Sequence, residues 1–173
     1  MRWRTGALDL SMALNGALAG LVAITAGCDV IRPAEGMLVG AIGGILVVEA
    51  VLWLDRVRVD DPVGAVPVHL VNGVFGTIAV GLFASKGDAL GLFHGGGFQL
   101  LGVQCAGVAM SALFAFVTGG ATWLLLKRLP GGVRVSRDHE LEGLDLAECG
   151  IEAYNEDDRT VGHSLNDALG SPG

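Results

Sequence analysis

The stretch DDPVGAVPVHLVNGVFGTIAVGLFA, from Asp60 to Ala84, decides how the rest of the chain is read. From Val63 to Ala84 it holds no Asp, Glu, Lys or Arg, so as a helix it is long enough to cross the hydrocarbon core of a bilayer. A single histidine, His69, lies within it. An imidazole at that depth is costly, and ionisable residues in membrane spans usually face a bundle interior or a wet cavity and mark a substrate or ion path. The residues alone leave two readings open: a conducting role, or a structural imidazole hydrogen-bonded to a neighbouring helix.

The start of this span carries its own signals. Pro62 suits the first turn of a helix, where its missing N–H costs nothing. Asp60 and Asp61 just before it would then meet unpaired amides and the positive end of the helix dipole, so both are read as helix caps rather than as catalytic groups. Pro67, a little further along, is expected to kink the span. Asn72, about one turn beyond His69, would add a second polar group beside it.

Composition supports a membrane protein. Of 173 residues, 51% are hydrophobic and 28 are glycine, and many of the glycines lie inside apolar runs, where they weaken a soluble helix but let helices approach closely in lipid. The formal charge of −7 comes largely from the last third of the chain. No basic patch interleaved with aromatics appears, so no nucleic-acid partner is expected. Cys28, Cys105 and Cys149 have no metal-ligand spacing and suggest no disulfide framework, and Cys105 reads as a small buried hydrophobe. No nucleophile and base recur at a readable spacing, so neither enzyme chemistry, cofactor nor metal is expected.

Working outward, three more apolar runs appear. Residues 10–26 contain Gly16 and Gly20, a G-x-x-x-G pair flanked by Ala19 and Ala23, which wants a partner helix. The basic Met1–Arg4 and the TAGC at Thr25–Cys28 resemble a secretory signal, but further apolar runs follow and Thr25 is a poor substitute for the large aliphatic residue such sites prefer. Residues 36–54 repeat Gly36, Gly40 and Gly44 as a second packing seam, with Glu49 read as an interfacial or inter-helix carboxylate. Residues 98–126 exceed one crossing and should tilt or project, ending at Lys127, Arg128 and Pro130-Gly131-Gly132. Between the last two runs, SKGDALGLFHGGG carries His94 and reads as a flexible external turn, since no G-K-[ST] follows its glycines.

The expected architecture is an all-α membrane protein with four spans, at about 10–26, 36–54, 63–84 and 98–126. A polar tail follows at 129–173, ordered against something at first and disordered beyond about Glu156. Arg2, Arg4, Arg56, Arg58, Lys127, Arg128, Arg134 and Arg137 fall on one side of these spans, with Arg32 and Lys86 on the other. That bias places both termini of the chain in the cytoplasm.

Three stretches carry a resemblance: NGALAGLVAITAGCD (Asn15–Asp29), DDPVGAVPVHLVNGVFGT (Asp60–Thr77), and GLFHGGG followed by LGVQ (Gly91–Gln104). The tail GGVRVSRDHELEGLDLAECGIEAY adds a fourth. Together they resemble the C-terminal portion of an Amt-type ammonium transporter (Amt/Mep/Rh family), in register as far as Tyr154. The resemblance implies an eleven-helix homotrimer in the cell membrane, of which these spans would be helices eight to eleven. It implies that His69 is the second of two pore histidines that share a hydrogen bond and relay a proton while ammonia passes. The first histidine, the outer recruitment site and the phenylalanine gate belong to the missing N-terminal helices.

The tail resembles the cytoplasmic segment that couples protomers and lies near the docking surface for PII-type regulatory proteins. Arg134 and the run Glu142, Gly143, Leu144, Asp145 carry that match. Departures stand at Leu70, where glycine is common, and at Asn72, where a small residue such as cysteine is common. Others stand at Cys149, where histidine is common, and Ile151, where an acidic residue is. The expectation is a fragment of an ammonium/ammonia channel, a truncation or one piece of a split transporter, that does not conduct alone. Two alternatives are a membrane adaptor acting through its tail on a PII-like protein or a full-length transporter, and an unrelated scaffold in which His69 is structural.

Overall fold

The computed structural model describes residues 10–129 and 133–150, with side chains throughout these except at 141, 142, 146 and 147. Among the described residues every regular element is helical: α1 (Leu10–Thr25), α2 (Pro33–Arg56), a π-helical segment (Val66–Val71) running directly into α3 (Asn72–Phe83), a 3-10 turn (Leu92–His94), α4 (Gln99–Leu126), α5 (Arg137–Glu142) and α6 (Leu144–Cys149). The protein is an all-helical membrane protein. α2, the combined segment Val66–Phe83 and α4 are each long and apolar enough to cross a bilayer, while α1 is apolar but shorter.

Two helix starts differ from the sequence expectation, each for a local reason. α2 begins at Pro33, the favoured first position, and the Glu35 carboxylate accepts the Arg32 N–H at 3.4 Å, satisfying one of the amides a helix start leaves unpaired. The third span begins later than Pro62. Pro62 and Val63 form a turn, Gly64 takes a left-handed φ of +72°, and Asp61 then caps the segment with both oxygens: Oδ1 accepts from Ala65 N–H and Oδ2 from Val66 N–H, each at 2.9 Å. Asp60 makes neither bond. The capping is the work of one carboxylate, displaced by a turn from where Pro62 suggested.

The core is a junction of α1, α2 and the third span. Ala19 and Ala23 of α1, Val39, Gly43 and Val47 of α2, and Val68, Asn72, Gly76 and Ala79 of the third span are all buried. Spacing of three or four residues puts each set on one face of its helix. Lipid tails are as apolar as these side chains, so dispersion and close approach hold the junction rather than the exclusion of water. Gly20 lies over the Gly40 backbone, as the two glycine seams suggested. The tighter contacts are elsewhere: a Cβ on Gly43 would lie 2.8 Å from Asn72 Oδ1 and 2.9 Å from Ala23 Cβ, and one on Gly76 would strike the Ala23 carbonyl oxygen.

α4 has no buried residue, so Cys105 is exposed rather than buried as expected. Its first turn meets α3 closely, since a Cβ on Gly81 would lie 2.6 Å from Leu101 Cα.

In the tail, which falls with the end of α4 in the second of two compact units, 118–173, Ser136 caps α5 by accepting the His139 N–H at 3.2 Å. Arg134 Nη2 meets both Glu140 oxygens at 3.1 and 3.2 Å. Gly143, at φ +107°, ends α5 before Leu144 starts α6. Pro130-Gly131-Gly132, Ile151 and the stretch expected to be disordered lie outside the described residues.

Candidate functional site

His69 lies in the π-helical segment. π turns are rare, occur mostly as single turns inside α-helices, and are frequent at functional sites. The sequence supplies a cause: Pro67 has no N–H to donate to the preceding turn, so the regular bonding pattern is already broken there. The expected kink at Pro67 takes the form of this wider turn.

The widening separates two residues that a regular helix would put side by side. At 3.6 residues per turn, positions three apart share a face. In the structure His69 is exposed and Asn72 is fully buried. A turn closed by i→i+5 bonds holds more residues than an α turn, which rotates His69 away from the junction and leaves Asn72 in it. Asn72 is therefore not beside His69 as its spacing suggested. Its Nδ2 donates to the Pro67 carbonyl at 2.9 Å, while its backbone N–H goes to the His69 carbonyl. Its Oδ1 faces Gly43 and, among the described residues, accepts no hydrogen bond. A buried orphan acceptor of this kind costs about 1–3 kcal/mol.

On the outward face, His69, Gly73 and Thr77 follow one another at four-residue spacing and line an open groove of about 300 Å³, with Val108, Ser111 and Ala115 of α4 opposite. Thr77 Oγ1 donates to the Gly73 carbonyl at 2.9 Å, so that hydroxyl is already engaged as a donor. The His69 ring makes no hydrogen bond to any described residue. Leu70 is 56% exposed and lines the same groove. A neutral imidazole offers one donor and one acceptor nitrogen, and here both are available to a molecule in the groove or to a group from another chain segment.

His94 is placed quite differently, and sequence reasoning missed it. Its Nε2 lies 2.8 Å from Glu35 Oε1, with both side chains mostly buried. The loop that carries it is held in several further places. Ser85 donates both its N–H and its Oγ–H to the Val30 carbonyl, at 2.9 and 3.1 Å. Gly91 N–H reaches the Ala84 carbonyl at 2.8 Å, and the Phe83 and Phe93 rings meet at 5.1 Å. The loop expected to be flexible is bonded down at Ser85 and again from Gly91 to Gly96. No local signal links residues 59 positions apart; the clue available was an acid at the start of one apolar run and a histidine before another.

Of the tail residues singled out, Arg134 is exposed and paired to Glu140. Gly143 supplies the left-handed turn between α5 and α6, and Leu144 and Asp145 open α6. Glu142 ends α5.

Comparison with known proteins gives one consistent result. Residues 1–154 match the family described as the Ammonium Transporter Family. The chain is 40% identical over 161 residues to ammonium transporter Amt2 of Archaeoglobus fulgidus, covering 87% of this chain and 34% of that protein. It is 33% identical over 183 residues to putative ammonium transporter 1 member 5 of Arabidopsis thaliana, covering 99% of this chain and 36% of that one. Among solved structures it resembles a sensor Amt protein, with a TM-score of 0.75 at 34% identity over 85% of this chain and 36% of the other. It also resembles Candida albicans Mep2, with a TM-score of 0.71 at 30% identity over 85% and 34% of the two chains. The chain spans about a third of the length of the curated relatives it matches.

Proposed function

Because the chain belongs to the ammonium transporter family, we propose that it forms one wall of an ammonium or ammonia pathway through the cell membrane, with His69 as a pore histidine. The observation that carries this reading is an imidazole in an apolar, bilayer-length span that faces an open groove and has no bonding partner among the described residues. A purely structural histidine would be hydrogen-bonded to a neighbouring helix, since an unsatisfied polar group in lipid is expensive.

The chemistry follows from what ammonium requires. A bare cation pays a large desolvation penalty on entering a narrow apolar passage, whereas neutral ammonia pays far less. An imidazole that accepts a proton on one nitrogen and donates from the other takes up the proton that ammonium sheds. A second imidazole, which in the family comes from the fifth helix and is not in this sequence, would receive the other end of His69 and extend the relay. In this reading the four apolar helices correspond to helices eight to eleven of the family's eleven-helix fold, and the basic residues around them put both termini in the cytoplasm. Assembly as a homotrimer, and docking of a PII-type regulator near Arg134 and Glu142–Asp145, belong to the same proposal.

The groove around His69 is open, so these residues do not surround a path by themselves. Methylammonium uptake by transporter-deficient cells tests both halves of the proposal. A chimera in which this chain replaces the matching third of Archaeoglobus fulgidus Amt2 should restore uptake, and this chain expressed alone should not. Uptake by the chain alone would refute the incomplete wall; a folded, membrane-inserted chimera without uptake would refute the conducting role.

A further inference from the structure

The buried amide of Asn72 has no part in conduction as described, yet the molecule keeps it in an apolar junction with one end unsatisfied. Both of its donors act on the turn that carries His69. The backbone N–H of Asn72, which a π turn would send to Pro67, goes instead to the His69 carbonyl. The side-chain Nδ2 takes its place and donates to the Pro67 carbonyl across the same five-residue interval, at 2.9 Å. One residue thus closes the π turn with its side chain and starts α3 with its backbone. The other end of the amide, Oδ1, faces Gly43, where an added Cβ would lie 2.8 Å from it, and among the described residues it has no hydrogen-bond donor. That arrangement leaves Nδ2 directed at the Pro67 carbonyl. A glycine at position 43 is what leaves room for it.

We infer that Asn72 is a positioning residue: its side-chain amide locks the π turn at Pro67 and thereby sets the direction in which the His69 ring faces the groove. The orphan Oδ1 is then the cost of that lock, since an amide supplies a donor and an acceptor together and the junction has use only for the donor. Buried polar groups left without a partner call for such an account. The inference rests on the pore role of His69 for its meaning in transport, but the geometry it claims is measurable without transport.

The test uses the full 173-residue chain in lipid nanodiscs, labelled with ¹⁵N at its histidine rings, with the His69 signals identified by their loss in His69→Gln. Asn72→Ala should shift the His69 ring signals and alter their tautomer ratio at least twofold, while the His94 signals stay in place. If that variant does not fold, Asn72→Ser is the second one, because a serine hydroxyl bonds the carbonyl three or four residues back and not the one at Pro67. Asn72→Asp has the same shape, and a carboxyl buried in apolar surroundings is held neutral. At pH 5 it donates to Pro67 in place of the amide and should return the His69 signals to those of the parent. Unchanged His69 signals in Asn72→Ala or Asn72→Ser would overturn the inference, and so would a shift of His69 and His94 together. Because the readout is the ring itself, a finding that His69 is dispensable for uptake would refute the pore role and leave this test intact.

Discussion

His69 and His94 are the same side chain in opposite circumstances. His94 sits in a glycine-rich loop that promised nothing in the sequence, and it has a carboxylate partner at 2.8 Å. His69 sits in a helix within an apolar span, and it has no partner among the described residues. One imidazole is spent on holding the fold together; the other is left open by the described residues. The contrast shows that depth in an apolar segment does not by itself assign a role. A histidine bonded within its own chain is accounted for by stability, and one left open among the described residues is what the proposed pore role requires.

The comparison can be broken at its frame. Gly76→Val would drive a side chain into the Ala23 backbone, which cannot give way as a flexible side chain would. Overpacking of this kind costs about 1–3 kcal/mol, occasionally more, and should lower the melting temperature of the purified chain in detergent more than any other change named here. Both histidines would lose the junction that holds their segments. A melting temperature equal to the parent's would show that α1 and α3 do not meet as described.

Making the same substitution at each histidine sharpens the contrast. His94→Ala removes the bond to Glu35 and should cost about 1 kcal/mol. Hydrogen exchange should then quicken at the amides of His94, Gly95 and Gly96, which are bonded within the loop. His69→Ala removes an exposed ring with no bond to any described residue, so stability should change by no more than about 0.5 kcal/mol. Equal losses from the two substitutions would mean that His69 is a structural residue after all.

How much of this was legible in the sequence divides along the same line. The apolar third span, its lone histidine and the stretches resembling the family could be read because each is a local pattern of residue types. The place of Asn72 could not, because spacing was counted at the α-helical period and the turn at Pro67 is π-helical. A proline and an asparagine five residues apart inside an apolar span is the signal that a sharper reading would have used. The start of the third span was misplaced because Pro62 looked like a first-turn proline, while Asp61 reaches forward over Gly64 to cap Ala65 and Val66. Gly43 was overlooked because it falls out of register with the four-residue repeat of Gly36, Gly40 and Gly44. Its importance comes from Ala23 and Asn72, which reach it only in the folded protein. The pairing of Glu35 with His94 is likewise a product of tertiary structure alone.

The most direct test of the central claim is methylammonium uptake by the chimera with Archaeoglobus fulgidus Amt2, measured with His69 intact and with His69→Ala at equal membrane abundance. The substitution should lower uptake at least tenfold while leaving the melting temperature unchanged. Uptake equal to that of the intact chimera would contradict it.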